Sequence, residues 1–213
     1  MTRFESASFN EVLTSYRRTQ RRIYGYRYEA DTLTLVAMAC GFAAVTGIAA
    51  QIRVPLPFTP VPITLQTFVV LLAGIVLGMR FGGLSQAIYV GGGILGLPWF
   101  QGMASGLGYA MGPTGGYLVG FVIAAMVIGF VVGRSQLVRR LPMVVVLLLI
   151  VNFGFIYGFG LTWLYIWVTV LSGGSAGLME VLYMGAIPFV LGDLVKIVAV
   201  ALLGAAMLPT NDL

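Results

Sequence analysis

Phe189-Val-Leu-Gly-Asp193-Leu-Val-Lys196-Ile-Val-Ala-Val-Ala-Leu-Leu-Gly204-Ala-Ala-Met-Leu208 is a run of 20 residues, apolar except for one carboxylate and one ammonium. About 20 such residues are what a helix needs to cross the hydrocarbon of a bilayer. Asp193 and Lys196 lie three apart, so they share one helical face and can reach each other or one common ligand. Lys196 is also the only lysine in the chain. Ionised groups inside a membrane segment are costly and by default mark a substrate or ion site. The bland alternative is a structural ion pair that neutralises itself.

The rest of the chain repeats the apolar theme. Hydrophobic residues make up 59% and charged residues 9% of the 213, and the mean hydropathy is +0.98. This is the profile of an integral membrane protein. Six spans are expected: Thr32–Ala50, Thr64–Met79, Gly83–Leu95, Thr114–Val132, Met143–Leu171 and Phe189–Leu208. The third is short and ends in Gly91-Gly92-Gly93. The fifth is long enough to tilt, or to break near Gly154, Gly158 and Gly160. The runs are apolar on every face, which excludes the alternation of a membrane barrel. The fold class expected is therefore all-α, a polytopic six-helix bundle. Its parts are a polar Arg-rich segment over 1–31, a membrane domain over 32–208 and a short tail over 209–213.

Charge sets the orientation. Arg17, Arg18, Arg21, Arg22 and Arg27 precede the first span, Arg80 follows the second, and Arg134, Arg139 and Arg140 follow the fourth. With six spans these segments share one side, and the opposite loops carry only Arg53 and Glu180. The positive-inside rule puts both termini in the cytoplasm. No cleavage-type apolar segment precedes Thr32, so the first span is expected to act as an uncleaved anchor. Topology accounts for the net charge of +5, and no nucleic-acid partner is expected. The Arg-rich segment fixes topology or meets anionic lipid headgroups.

Several chemistries are excluded. The chain has no histidine and one cysteine, Cys40. That removes His-based acid–base work, thiolate metal clusters and intrachain disulfides. No metal and no cofactor is expected. A glycine-rich phosphate loop ending in lysine is missing, so the chain is not its own ATPase. An intramembrane enzyme would lack an acid–base set.

Proline and glycine cluster in two places. Pro55, Pro57, Pro60 and Pro62 forbid a helix and favour a stiff extended loop. Eleven glycines with Pro98 and Pro113 fall between Gly91 and Gly120. Both clusters belong to the outer loops, as does the start of the last span; Asp193 lies about 6 Å inside Phe189 at 1.5 Å per residue. Either these are turn residues, or they form the lid of a pocket open to the outside. Such a pocket has one carboxylate, one ammonium and apolar walls from Phe58, Trp99, Phe100 and Tyr117, and suits a small, polar-headed, partly apolar solute. In the first span, Ala39-Cys-Gly-Phe-Ala43, with Ala44 and Gly47 beyond, spaces small residues four apart, as helices that approach closely do.

Val54-Pro-Leu-Pro-Phe-Thr-Pro-Val-Pro-Ile-Thr-Leu-Gln-Thr67, Leu72-Ala-Gly74, Gly96-Leu-Pro98, Gly112-Pro-Thr-Gly-Gly-Tyr117 and Gly192-Asp-Leu-Val-Lys196 occur in that order. Together they make the chain resemble the BioY family, biotin-specific substrate-binding (S) components of energy-coupling factor transporters. The resemblance covers about Val36 to Ala206 and leaves the N-terminal 30 residues outside. It implies a six-helix subunit of a bacterial-type cytoplasmic membrane, not an enzyme. That subunit would bind biotin from outside and work with a membrane coupling (T) subunit and two cytoplasmic ATPases. The resemblance puts Asp193 and Lys196 on the family's acidic and basic pair at the ligand, and with Tyr117, Thr114, Gly115, Phe58, Phe100 and Tyr89 they make up the substrate-binding set expected here. The ureido N–H groups would meet Asp193, and the carboxylate a cation such as Lys196. Ala39 and Ala43 fall on the family's docking face for the coupling subunit. The alternatives are an S component for another vitamin and a structural membrane protein without ligand. One departure stands out: the family often carries a Gly-rich turn after Gly-Leu-Pro, whereas this chain has Trp99-Phe100-Gln101-Gly102-Met103.

Overall fold

A computed structural model describes residues 2–209. Helices dominate: α1 (Thr2–Glu29), α2 (Thr32–Gln51), α3 (Gln66–Ile94), α4 (Leu107–Ala110), α5 (Gly115–Arg134), α6 (Leu141–Ile150), α7 (Tyr157–Ile166), α8 (Leu178–Gly185) and α9 (Val190–Met207). Among the described residues the one sheet is a short antiparallel ladder of β1 (Arg53–Val54) and β2 (Ile63–Thr64), with Arg53 opposite Thr64. The proline-rich stretch is the loop of this hairpin, as a segment short of N–H donors must be.

Among the described residues, five helical segments are long and apolar enough to cross a membrane: Thr32–Gln51, Gln66–Ile94, Gly115–Arg134, Leu141–Leu171 and Leu178–Met207. The sequence predicts six spans, and the difference lies in α3. At Gly78 the backbone takes φ 76° and ψ −174°, a region essentially reserved for glycine. There the helix reverses without a loop. The Gln66 amide donates to the Tyr89 hydroxyl at 2.8 Å, although a straight helix would hold these residues about 35 Å apart. α3 is thus two antiparallel legs, which correspond to the expected second and third spans. α5 seals the turn: a Cβ on Gly129 would stand 2.2 Å from the Gly78 carbonyl carbon and the Met79 nitrogen.

The fifth expected span is continuous rather than broken. Between α6 and α7, Val151–Ile156 winds as a π-helix, and the Tyr157 N–H bonds to the Asn152 carbonyl five residues back. A second π-turn, Trp167–Leu171, ends the segment. α8 joins α9 through a 3-10 turn over Ile187–Phe189 that contains Pro188.

The Arg-rich N-terminal segment is a helix, and its C-terminal half is docked on the bundle. Tyr24 is buried. Arg27 stacks on its ring at 4.0 Å, donates to the Tyr24 hydroxyl and reaches the Ile75 carbonyl of α3 at 3.3 Å. Arg139 lies against the same ring at 4.5 Å. Gln20 donates to the Ala205 carbonyl of α9 at 3.0 Å. Of the tail placed at 209–213, residues 210–213 lie outside the described residues, and the Pro209 carbonyl accepts from Arg139 at 3.5 Å.

Candidate functional site

Asp193 stands in the first turn of α9, where the helix dipole favours a carboxylate, and is 3% exposed. Its oxygens accept four hydrogen bonds. Oδ1 takes Lys196 Nζ at 2.8 Å and Thr67 Oγ1 at 3.2 Å. Oδ2 takes Tyr157 Oη at 2.8 Å and Asn152 Nδ2 at 3.0 Å. A carboxylate has about four acceptor positions, so this one is saturated by its own protein. Lys196 Nζ also donates to Thr67 Oγ1 at 3.1 Å. Three parts of the chain converge here: the start of α3, the π-turn with α7, and α9.

The π-turn is what makes the clamp possible. In an α-helix, residues five apart lie about 140° apart and face different ways. The wider register of Val151–Ile156 turns Asn152 and Tyr157 to the same carboxylate. Such turns inside α-helices are frequent at functional sites. The amide oxygen of Asn152, Oδ1, is buried without a partner.

Above the ion pair is a cavity of about 70 Å³ whose lining includes Thr67, Thr114, Tyr117, Tyr157, Asp193 and Lys196, with Thr64, Gln66, Gln101 and Tyr109 also in its wall. Tyr117 is fixed by donating to the Gly185 carbonyl at 2.7 Å and meets Tyr157 edge-on at 6.3 Å. The loop before α4 is pinned from β1 and α2. Gln51 donates to the carbonyls of Trp99 and Phe100 at 3.2 and 3.0 Å and accepts from the Met103 N–H at 3.0 Å. Arg53 donates to Gln101 Oε1 at 2.7 Å. Burial pushes the Tyr109 hydroxyl's pKa up, and hydrogen bonds from its Thr114 and Gln101 neighbours and the Arg53 charge work against that.

The cavity brings together four of the residues expected from sequence: Asp193, Lys196, Thr114 and Tyr117. Tyr89 and Phe100 stand one layer back, fully buried. Phe100 stacks on Tyr109 at 4.8 Å and meets Tyr89 edge-on at 5.5 Å. Gly115 supports the wall from behind, since a Cβ there would stand 2.1 Å from the Ala110 carbonyl. Phe58, by contrast, is 61% exposed at the proline loop and is not among the residues that line the cavity. Trp99 is an anchor rather than a wall, its indole donating to the Tyr89 carbonyl at 2.8 Å.

Ala39 and Ala43 also need correction as a docking face. Both are fully buried. Their face of α2 packs inside the protein, with Trp99 lying over Gly47 and Thr46 bonded to Gln86 of α3. Small residues let two helices of this chain approach each other, and the exposed small residues of α2 are instead Ala37, Cys40, Gly41 and Ala44. Sequence reading missed Thr67, Asn152 and Tyr157. The signal available for the last two was a polar pair inside an apolar span, hidden by a spacing that does not fit an α-helical face.

The BioY family model matches residues 20–211. It begins within α1, so part of the N-terminal segment set apart above belongs to the match. Among similar proteins, the "Probable biotin transporter BioY" of Methanothermobacter thermautotrophicus is 43% identical over 65% of this chain and 88% of its own length. That of Pyrococcus horikoshii is 40% identical over 79% and 90%. The "Biotin transporter BioY" of Thermotoga maritima is 37% identical over 76% and 88%. A crystal structure at 2.1 Å of the S-component for biotin from an ECF-type ABC transporter superposes with a TM-score of 0.67. It covers 81% of this chain and 89% of its own, at 22% identity, and so supports the fold.

Proposed function

The chain belongs to the BioY family, and on that premise we propose that it is the biotin-binding, membrane-embedded S component of an ATP-driven uptake system. The observation that carries this reading is the Asp193–Lys196 pair at the floor of the cavity. Carboxylate and ammonium are 2.8 Å apart, so both address the same end of a ligand. A ureido group presents N–H donors and a carbonyl acceptor side by side, which complements that pair. The ligand's N–H would replace the Thr67 hydroxyl on Oδ1 of Asp193, and its carbonyl would take the remaining Lys196 proton. This revises the assignment of Lys196 to the carboxylate. Tyr109, Tyr117 and Tyr157 supply walls for the bicycle. The cavity of about 70 Å³ is tighter than the roughly 300–1,000 Å³ of small-molecule sites in general, so entry requires the proline loop and the Gln101 loop to part.

The excess of arginine at the far end of the bundle supports cytoplasmic termini, with the cavity facing outward. ATP-driven transport would then draw on partner chains, a membrane coupling subunit and two cytoplasmic ATPases of the ECF type, since this chain carries no nucleotide-binding motif. Equilibrium binding of labelled biotin to the purified protein in detergent, wild type beside Asp193→Asn, tests the reading. Saturable binding lost in the variant is expected. A folded wild type that ignores biotin would remove the biotin assignment.

A further inference from the structure

The floor of the cavity holds no net charge. Asp193 and Lys196 neutralise each other, and theirs is the one ion pair among the described residues. A ligand that carries a carboxylate besides its ureido head therefore needs a cation elsewhere. At this end of the bundle the other cation is Arg53. The remaining arginines of the described residues belong to α1, to the Gly78 turn, or to the junction of α5 and α6.

Arg53 is placed for that task. It is exposed and stands in β1 opposite Thr64, and Thr64 lines the cavity. Its guanidinium crosses to the other rim, donating to Oε1 of Gln101, also a lining residue. It lies flat on Gly102, where a Cβ would come within 2.7 Å of Nη1. Gly102 has φ 74°, so glycine serves both the turn and the guanidinium's seat. Among the described residues no carboxylate pairs with Arg53: Asp193 is saturated below, and Glu180 caps α8 by accepting from the Gly177 N–H at 3.0 Å. A guanidinium held over a cavity mouth by a neutral amide keeps its charge available, and its planar fork matches a carboxylate.

We propose that Arg53 recognises the carboxylate of the ligand at the cavity mouth and sets the protein's preference for the acid over neutral derivatives. This rests on the biotin reading. The test measures affinities of biotin and of its uncharged primary amide for the full chain in detergent, wild type beside Arg53→Gln and Arg53→Lys. Wild type is expected to favour the acid by about tenfold, the size of one partly exposed charge-assisted contact, and that preference should weaken with salt. Arg53→Gln should bind acid and amide alike, with the amide affinity of wild type, and Arg53→Lys should keep part of the preference. Amide binding doubles as the control for folding. An Arg53→Gln protein that still favours the acid as wild type does would overturn the inference and leave the biotin reading intact. So would equal loss of both ligands, which would make Arg53 a mere prop of the loop. Failure of wild type to bind either compound would remove both.

Discussion

Replacing Tyr157 with Phe removes one donor from Asp193 and leaves the ring where it is. The lost bond is the one to Oδ2, 2.8 Å long and buried. The edge-on contact with Tyr117 at 6.3 Å and the packing on Phe153 at 5.1 Å do not involve the hydroxyl. A hydrogen bond to a charged group contributes about 1.5–3 kcal/mol. The clamp orients the carboxylate through Asn152 and Tyr157 on one oxygen and Lys196 and Thr67 on the other. If that orientation serves the ligand, the whole loss appears in affinity, a weakening of about 10- to 150-fold at 1.4 kcal/mol per decade. The assay is the dissociation constant for labelled biotin in detergent, with apparent melting temperatures measured with and without ligand. Tyr117→Phe is the control, because its hydroxyl bonds the Gly185 carbonyl instead of the carboxylate, and its affinity change should be smaller. Unchanged or tighter binding by Tyr157→Phe would refute the reasoning. It would mean that the hydroxyl competes with the ligand for Asp193 rather than presenting the carboxylate to it.

Asp193→Asn and Lys196→Met should each cost about 3–5 kcal/mol as single changes, because each strands a buried charge. The double variant should cost clearly less than their sum, and strictly additive melting data would dissolve the pair. Gly129→Ala should abolish monodisperse protein on size exclusion, since its Cβ would meet the backbone at Gly78 and Met79 at 2.2 Å. Gly154→Ala, with open space around it, should behave as wild type; the reverse ranking would contradict the α3–α5 packing. Phe58→Ala should leave biotin affinity within about twofold, because the side chain is exposed and outside the cavity lining, and a large loss would show that the proline loop folds down over the ligand.

The helical bundle and the floor of the site were legible because their signals are local. Apolar runs near the length of the hydrocarbon read directly as spans, and Asp193 and Lys196 were visible as charges where charges are costly. Glycine composition does not say which glycine turns the chain. Gly78 differs from Gly74 or Gly82 only in φ, and so the reversal inside α3 was read as two separate spans. Asn152 and Tyr157 escaped because a π-turn changes the helical period, and wheel arguments assume 3.6 residues throughout. The small residues of α2 showed that a helix packs closely there; which neighbour it meets is a tertiary fact. Phe58 reads as a wall because it is aromatic and near the motif, but of the proline stretch it is Val61 and Pro62 that line the cavity while Phe58 is exposed.

The reversal at Gly78 has a consequence for the lipid around it. The first leg of α3, from Gln66 to Leu77, rises about 18 Å at 1.5 Å per residue, against about 30 Å of hydrocarbon. A hydrophobic mismatch of this size is met by thinning of the bilayer or by headgroups drawn toward the turn. Arg27, bonded to the Ile75 carbonyl just before that turn, gives those headgroups a cation to meet. Along α3 the helix from Thr67 at the Asp193 cavity to the Gly78 turn is therefore only about 16 Å long at 1.5 Å per residue, well short of a full span.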